Sequence, residues 1–130
     1  MTIITICLLV SIGQIYLAKG IVAIAMAKEG KGYDNHHPRM QQSKLTGWGA
    51  RANGAHQNGF EAFSIFSVAI LFNLLQEVDF YWLEILAMSF VALRFLYIYL
   101  YIADLPKARS TVWTLAFLCT MLIYLLPILP

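Results

Sequence analysis

Apolar and polar residues follow one another along this chain in long blocks. Four apolar runs of membrane length cover about residues 2–27, 50–76, 80–103 and 111–128, and three polar links separate them. A helix needs about 20 apolar residues to cross a bilayer core. The pattern therefore predicts an all-α integral membrane protein, a bundle of four transmembrane helices in a single domain over residues 1–130. No Lys or Arg precedes the first run, so we interpret it as a permanent helix and not as a signal peptide.

The second run is polar at one end instead of along one side. Arg51, Asn53, His56, Gln57, Asn58 and Glu61 all lie in the first half of the stretch that ends at Leu75. An amphipathic helix of a soluble protein would spread such residues along one face. The layout instead predicts a transmembrane helix whose first turns line a polar site.

Composition supports the membrane interpretation. The 130 residues are 60% hydrophobic and 12% charged, which is too apolar for a soluble domain. The net charge is only +2 and no basic run occurs, so nucleic acid is excluded as an expected partner. His36 and His37 are adjacent and diverge on any regular element, so no metal site is expected. Cys7 and Cys119 lie in apolar runs and are expected to be buried thiols.

The links differ in charge. Lys28, Lys31, Arg39, Lys44 and Arg51 lie in or beside the first link, and Lys107 and Arg109 lie in the third. The second link carries only Glu77 and Asp79. By the positive-inside rule, links one and three are cytoplasmic and both termini lie outside. The tight second link makes runs two and three antiparallel neighbours.

This topology brings polar residues from different runs to one depth. At 100° per residue, Arg51, Asn58 and Glu61 fall within an arc of about 80° on one helix face. Arg94, Tyr97 and Tyr101 fall within about 60° on one face of the third run, and Asp104 continues that face. The two faces are expected to meet each other or a neighbouring subunit.

Two charges lie deepest, and one lies at the mouth of the cluster. An unpaired charge at the depth of Glu61 or Arg94 costs about 2.5–3.5 kcal/mol, so an ion pair between them is expected. The pair could hold the helices together or belong to a ligand site. Arg109, next to Ser110, could be a topology signal or could stabilise a thiolate or another anion.

These residues carry a family resemblance. The stretch ARANGAHQNGFE places Arg51, Ala55, Asn58 and Glu61 at the spacing of a Glu-Arg-x-x-x-Ala-x-x-Asn-x-x-Glu/Asp motif, with Ala50 at its first position. The run from Arg94 through Tyr97 and Tyr101 to Arg109 and Ser110 is the second match. Both resemble the MAPEG family, the membrane-associated proteins in eicosanoid and glutathione metabolism. The likeness is greatest to small bacterial members, and a bacterial chain would lie in the inner membrane.

The resemblance implies a homotrimer of four-helix bundles in contact with membrane lipids, with glutathione as co-substrate at the cytoplasmic side between subunits. It assigns Arg109 and Tyr101 to catalysis. Glutathione binding falls to a larger set: Arg51, Asn58, Glu61, Arg94, Tyr97 and Ser110. The expected activity is that of a glutathione transferase or peroxidase on lipophilic small molecules. The alternatives are a non-catalytic, lipid-binding member and a bundle whose polar cluster only fixes the oligomer.

The chain departs from the pattern of glutathione-using members at three places. Gly54, Gln57 and, in a looser alignment, Tyr16 stand where those members often carry arginine. Each absent guanidinium removes a charge-assisted contact of about 1.5–3 kcal/mol to a glutathione carboxylate. Lys19 could replace one of them. Glutathione binding by this chain is therefore expected to be weak, altered or absent.

Overall fold

The computed structural model describes residues 1–29, 32–76, 78 and 80–128, and within them the chain is helical. Glu77 and Asp79, which define the predicted second link, and Lys31 of the first lie outside the described residues. α3 and α5 begin at Gly47 and Pro106, ahead of the expected starts at residues 50 and 111. The elements are α1 (Thr2–Lys28), α2 (Pro38–Ser43), α3 (Gly47–Leu74), α4 (Phe80–Ile102), α5 (Pro106–Leu125) and a 3-10 helix (Leu126–Ile128).

Three of the helices, Thr2–Lys28, Phe80–Ile102 and the continuous segment Pro106–Ile128, are long and apolar enough to cross a membrane. α3 has 28 residues but is not among them, because its first half carries the polar residues described above. The distribution of side chains agrees with a multi-pass membrane protein. Large apolar residues such as Leu9 and Leu71 face outward, at 63% and 57% exposure. Polar residues are buried inside: Ser11, Gln14, Asn73, Arg94 and Thr120.

Small residues let α1 and α3 approach closely. Ala52 and Ala55 are fully buried in this seam. A Cβ on Gly49 would lie 2.8 Å from Ala25 Cβ, and one on Gly59 would lie 3.1 Å from Ile15 Cγ1. Such seams are the usual means of helix association in membranes, where burial of apolar surface gives little driving force. Sequence analysis missed this seam because its spacing contains no simple GxxxG repeat.

Two contacts show which helix ends lie together. The Met1 amino group is 3.4 Å from Glu84 Oε1, so α1 and α4 begin at the same end. At the opposite end, Arg51 Nε donates to the Ile102 carbonyl at 3.1 Å. Links one and three therefore share one end of the bundle, and the cytoplasmic placement of that end remains a prediction from charge. Phe66 of α3 stacks on Phe90 of α4 between the two ends, with centroids 4.0 Å apart.

The turn between α4 and α5 is short and well defined. Asp104 adopts φ 61°, the left-handed conformation that closes a helix, and Leu105 N donates to the Leu100 carbonyl at 3.0 Å. Pro106 then starts α5, where its fixed φ suits the first helical turn and its missing N–H is not needed. This turn fixes where α5 begins relative to α4.

The short helix α2 is tied to the same end by two glutamines. Gln41 Nε2 donates to the carbonyls of Met26 and Gly32 at 3.0 and 2.7 Å. Gln42 accepts from Lys19 Nζ and donates to Asn53 Oδ1. The first polar link is thus a docked element that joins α1 to α3.

We expect Asn73→Ala to lower the free energy of unfolding by about 1–2 kcal/mol. Asn73 is fully buried, and its Nδ2 links α3 to α5 by donating to the Ile123 carbonyl at 2.7 Å. Ser64→Ala is the matched control, since Ser64 is exposed and its hydroxyl donates only within α3, to the Phe60 carbonyl. Unfolding of the detergent-solubilised protein measures both. Equal losses in the two variants would contradict the role of Asn73.

Candidate functional site

The polar faces of α3 and α4 meet in one antiparallel register. Arg51 faces Asp104, and three residues further along α3 Gly54 faces Tyr101. Seven residues beyond these, Glu61 and Arg94 line one cavity. Because α3 and α4 run antiparallel and advance by the same number of residues, their polar faces stay in contact at all three levels, as the predicted topology requires. The contacts at the three levels are nevertheless different in kind.

At the link end, Arg51 is engaged within the chain. Its Nη1 is 3.6 Å from Asp104 Oδ2, and its Nε donates to the Ile102 carbonyl at 3.1 Å. Ile102 is the last residue of α4, so its carbonyl has no partner inside the helix. Arg51 therefore caps α4 and holds the following turn. The structure places its guanidinium there and not in the cavity or groove described next.

Deeper in the bundle, α3, α4 and α5 enclose an inner cavity of about 100 Å³. Asn58, Glu61 and Arg94 form its polar wall. Asn58 Nδ2 donates to Glu61 Oε2 at 2.8 Å, while Asn58 Oδ1 is buried and has no hydrogen-bond partner among the described residues. A buried acceptor of this kind is costly unless a ligand or water satisfies it. The remaining lining is Ala62, Ile65, Phe90, Trp113, Ala116, Phe117 and Thr120.

Arg94 is 4% exposed, and among the residues that the structure describes no oxygen accepts a hydrogen bond from its guanidinium. Its Cζ lies 4.2 Å from the centroid of the Tyr97 ring. The prediction that Glu61 and Arg94 form an ion pair is wrong. Glu61 is exposed and accepts from Asn58, whereas Arg94 lies against an aromatic face. The two charges line one cavity without a salt bridge between them.

On the link side of the inner cavity, aromatic rings and guanidinium groups alternate. Tyr97 and Tyr101 meet edge to face with centroids 5.5 Å apart, and Arg109 Cζ lies 4.4 Å from the Tyr101 centroid. Cation–π contacts of this geometry hold a guanidinium in place without using its N–H donors. Arg109 therefore keeps its hydrogen-bonding capacity for another group.

These residues line an outer groove between α4 and α5 with a volume of about 380 Å³. That volume lies within the range of small-molecule sites, whereas the inner cavity is too small for a ligand of that size. Trp113 lines both spaces and joins them. Sequence analysis missed Trp113, although it lies one helical turn beyond Arg109 on α5. The groove lining is Tyr97, Tyr101, Arg109, Ser110, Trp113 and Thr114.

Gly54 has a steric role that its sequence position did not reveal. A Cβ on this residue would lie 2.5 Å from Tyr101 Oη and 2.8 Å from Tyr101 Cζ. The Tyr101 hydroxyl thus occupies the space that a side chain at position 54 would need. This directs the hydroxyl of one predicted catalytic residue towards α3 and leaves its ring to support Arg109.

The other residues that depart from the pattern of glutathione-using members do not line the cavity or the groove. Gln57 and Tyr16 are exposed, at 63% for Tyr16. Lys19 donates to Gln42 in the network that docks α2, so its ammonium group is already partnered. His56 lies on another face of α3, and its Nδ1 is 3.0 Å from the Ile15 carbonyl of α1.

Comparison with known proteins identifies the family. The model described as "MAPEG family" matches residues 3–129, nearly the whole chain. The chain belongs to the MAPEG family. This family includes glutathione transferases and non-catalytic members. Comparisons with curated proteins and with solved structures gave no match.

We expect Gly54→Ala to lower the thermal stability of this MAPEG protein, because the new methyl group would collide with Tyr101. In a Tyr101→Ala background the same change should be neutral or stabilising, since Ala favours a helix over Gly by about 1 kcal/mol. Gly13→Ala is the control, as a Cβ there meets nothing within 4 Å. The same sign of change in both Gly54 backgrounds would argue against the contact.

Arg94→Met should leave the stability of the detergent-solubilised protein unchanged or raise it by up to about 2 kcal/mol. The substitution removes a buried charge that no acceptor compensates, and apolar replacement of buried charges is often stabilising. Arg39→Met, on the exposed surface of α2, is the control. A loss above about 3 kcal/mol, as expected on breaking a buried ion pair, would show that Arg94 is paired.

Proposed function

We propose that this protein is a membrane-embedded glutathione transferase or peroxidase that acts on lipophilic electrophiles. The observation that carries the proposal is the placement of Arg109. Its guanidinium is held over the Tyr101 ring at the outer groove, with its donors directed to no other side chain among the described residues. A fixed cation beside an apolar surface favours an anionic nucleophile next to a lipophilic substrate.

The proposed chemistry uses the thiol of glutathione as the nucleophile. Arg109 stabilises the thiolate, and the thiol proton passes to solvent. The sulfur then forms a bond to the electrophilic carbon, and the leaving group departs with its electron pair. Tyr101 holds Arg109 in place, so its contribution in this arrangement comes from the ring. Trp113 and Phe117, stacked in parallel at 5.4 Å, form an apolar wall along which the electrophile enters from the lipid.

The inner cavity supports a binding role for its polar wall. Among the described residues, neither Asn58 Oδ1 nor the buried Arg94 guanidinium has a hydrogen-bond partner, and Glu61 lines the same cavity. We infer that one polar end of glutathione reaches these groups while Tyr97 and Ser110 line the path to Arg109. Arg51 would join only by releasing Asp104.

Glu61 also supports an oligomer. It lies at membrane depth on α3 and is exposed in the single chain. A carboxylate facing lipid at that depth is costly, so another copy of the chain is the economical cover. We therefore propose that α3 is a fourth transmembrane helix, that the assembly is a homotrimer, and that its link end faces the cytoplasm.

A non-catalytic, lipid-binding role is the second candidate. It is favoured by the apolar lining of the inner cavity, in which Ile65, Phe90 and Phe117 surround a small polar wall. It is also favoured by the absence of a guanidinium at position 54, where Tyr101 fills the space. This role requires bound lipid and no turnover with any thiol.

Titration of glutathione into the detergent-solubilised protein, followed by calorimetry and thiolate absorbance, tests the first proposal. We expect binding in the millimolar range, the appearance of thiolate and conjugation of a generic aryl halide. Arg109→Ala should lower conjugation by about 100-fold or more, as expected on removing a group that stabilises the reacting anion. Arg109→Lys should retain part of the activity, because it keeps the charge without the planar fork.

Undiminished turnover in Arg109→Ala would contradict the mechanism. Lipid that copurifies with the protein, together with no heat on titration of glutathione, would establish the lipid-binding role instead. The two candidate functions thus give opposite results in one titration.

A further inference from the structure

A second, smaller cavity lies between α1, α3 and α4, and we call it the α1 cavity. Its volume is about 10 Å³. Arg94 lines both this space and the inner cavity, so one buried side chain connects the two. The other polar residues of the lining are Ser11 and Gln14 of α1. The rest of the lining is apolar, so a polar atom that faces the α1 cavity must find its partner within it.

Each of the three polar residues has an unused hydrogen-bonding group. Ser11 Oγ is buried without a hydrogen-bond partner among the described residues. Gln14 Nε2 donates to the Val91 carbonyl at 2.8 Å, and because that oxygen can only accept, the amide is oriented with Oε1 left as an unused acceptor. No described residue accepts a hydrogen bond from the Arg94 guanidinium. A cationic donor and two oxygens thus belong to one small space.

We propose that the α1 cavity holds one water molecule, which accepts a hydrogen bond from Arg94 and donates to Ser11 Oγ and Gln14 Oε1. A space of about 10 Å³ takes a single water when two to four polar groups face it. A buried water typically makes about three hydrogen bonds, which is the number available here. This water is the acceptor that a guanidinium at membrane depth requires.

A single copy of the chain builds this site. Ser11, Gln14 and Arg94 are each at most 4% exposed when no neighbouring copy is present. A second copy would therefore cover the α1 cavity from outside without reaching these three groups. The water site does not depend on what the oligomer adds.

The same water makes Ser11 and Gln14 positioning residues for Arg94. The guanidinium lies over the Tyr97 ring, with Cζ 4.2 Å from the centroid. A ring face holds a guanidinium without selecting which N–H groups point where, whereas a hydrogen bond to the water is directional and fixes them. The remaining donors then face the inner cavity, where the proposed function places a polar end of glutathione. This positioning role rests on the proposed function, and the water site does not.

Ser11→Ala separates a water site from an unpartnered hydroxyl, because the two give opposite signs. Removal of a buried hydroxyl that has no partner should raise the thermal midpoint of the detergent-solubilised protein. Removal of one that holds the water should lower the midpoint by about 4 °C, and this is the result that we expect. In an Arg94→Met background the same change should have no such cost, since the water has lost its donor. Ser67→Ala is the control, as its hydroxyl donates only within α3, to the Ser64 carbonyl.

Kinetics with glutathione and an aryl halide test the positioning role on the same variants. We expect Ser11→Ala to raise KM for glutathione about tenfold and to leave kcat unchanged, because the thiolate still lies at Arg109. A role in folding alone would lower the fraction of active protein and leave KM as it was. Ser67→Ala should change neither constant.

A midpoint that rises in Ser11→Ala, or an equal shift in both Arg94 backgrounds, would overturn the water site. A lower midpoint with an unchanged KM would overturn the positioning role and leave the water site standing. If the parent protein neither binds nor turns over glutathione, the proposed function fails and the positioning role fails with it. The thermal midpoints still decide the water site in that case.

Discussion

The antiparallel register of α3 and α4 determines where the polar groups of these two helices lie. Because the two helices advance in equal steps, a single polar stripe on each is enough to build three distinct levels: an ion pair at Arg51, a steric contact at Gly54 and an open cavity at Glu61. A shift of one helix by one residue against the other would turn its stripe by about 100° away from the partner stripe. The stacked rings of Phe66 and Phe90, which lie beyond Glu61 in the direction of the second link, hold this register.

Arg94 shows why this arrangement indicates a site and not only a structural contact. A guanidinium buried in a membrane bundle is normally compensated by a carboxylate or by carbonyl oxygens. Here the Glu61 carboxylate accepts from Asn58, and the Arg94 guanidinium lies over the Tyr97 ring. A polar network that is only partly satisfied is worse for folding than an apolar core. Its presence supports the proposal that a ligand completes it.

Much of the fold and of the site could be predicted from the sequence. Apolar runs of sufficient length predict membrane helices, and helical geometry places Arg94, Tyr97 and Tyr101 on one face. What could not be predicted depends on side-chain rotamers and turn geometry. The partner of Arg51 depends on the left-handed conformation of Asp104, which spacing does not reveal. The Glu61–Arg94 pair was expected from charge depth alone, yet local partners compete for both groups. Trp113 lies one helical turn beyond Arg109, but only the packing of α5 against α4 shows that this face of α5 lines the groove.

On the facing sides of α3 and α4, the satisfaction of polar groups changes with depth. Near the links, Arg51 and Tyr101 have their polar groups occupied within the chain or packed against it. Further into the membrane, the Asn58 Oδ1 acceptor and the Arg94 guanidinium have no hydrogen-bond partner among the described residues. In the proposed function, the polar end of glutathione reaches these two groups while its sulfur lies at Arg109, nearer the links. The apolar substrate then meets the sulfur beside Trp113, which lines both spaces and is partly exposed.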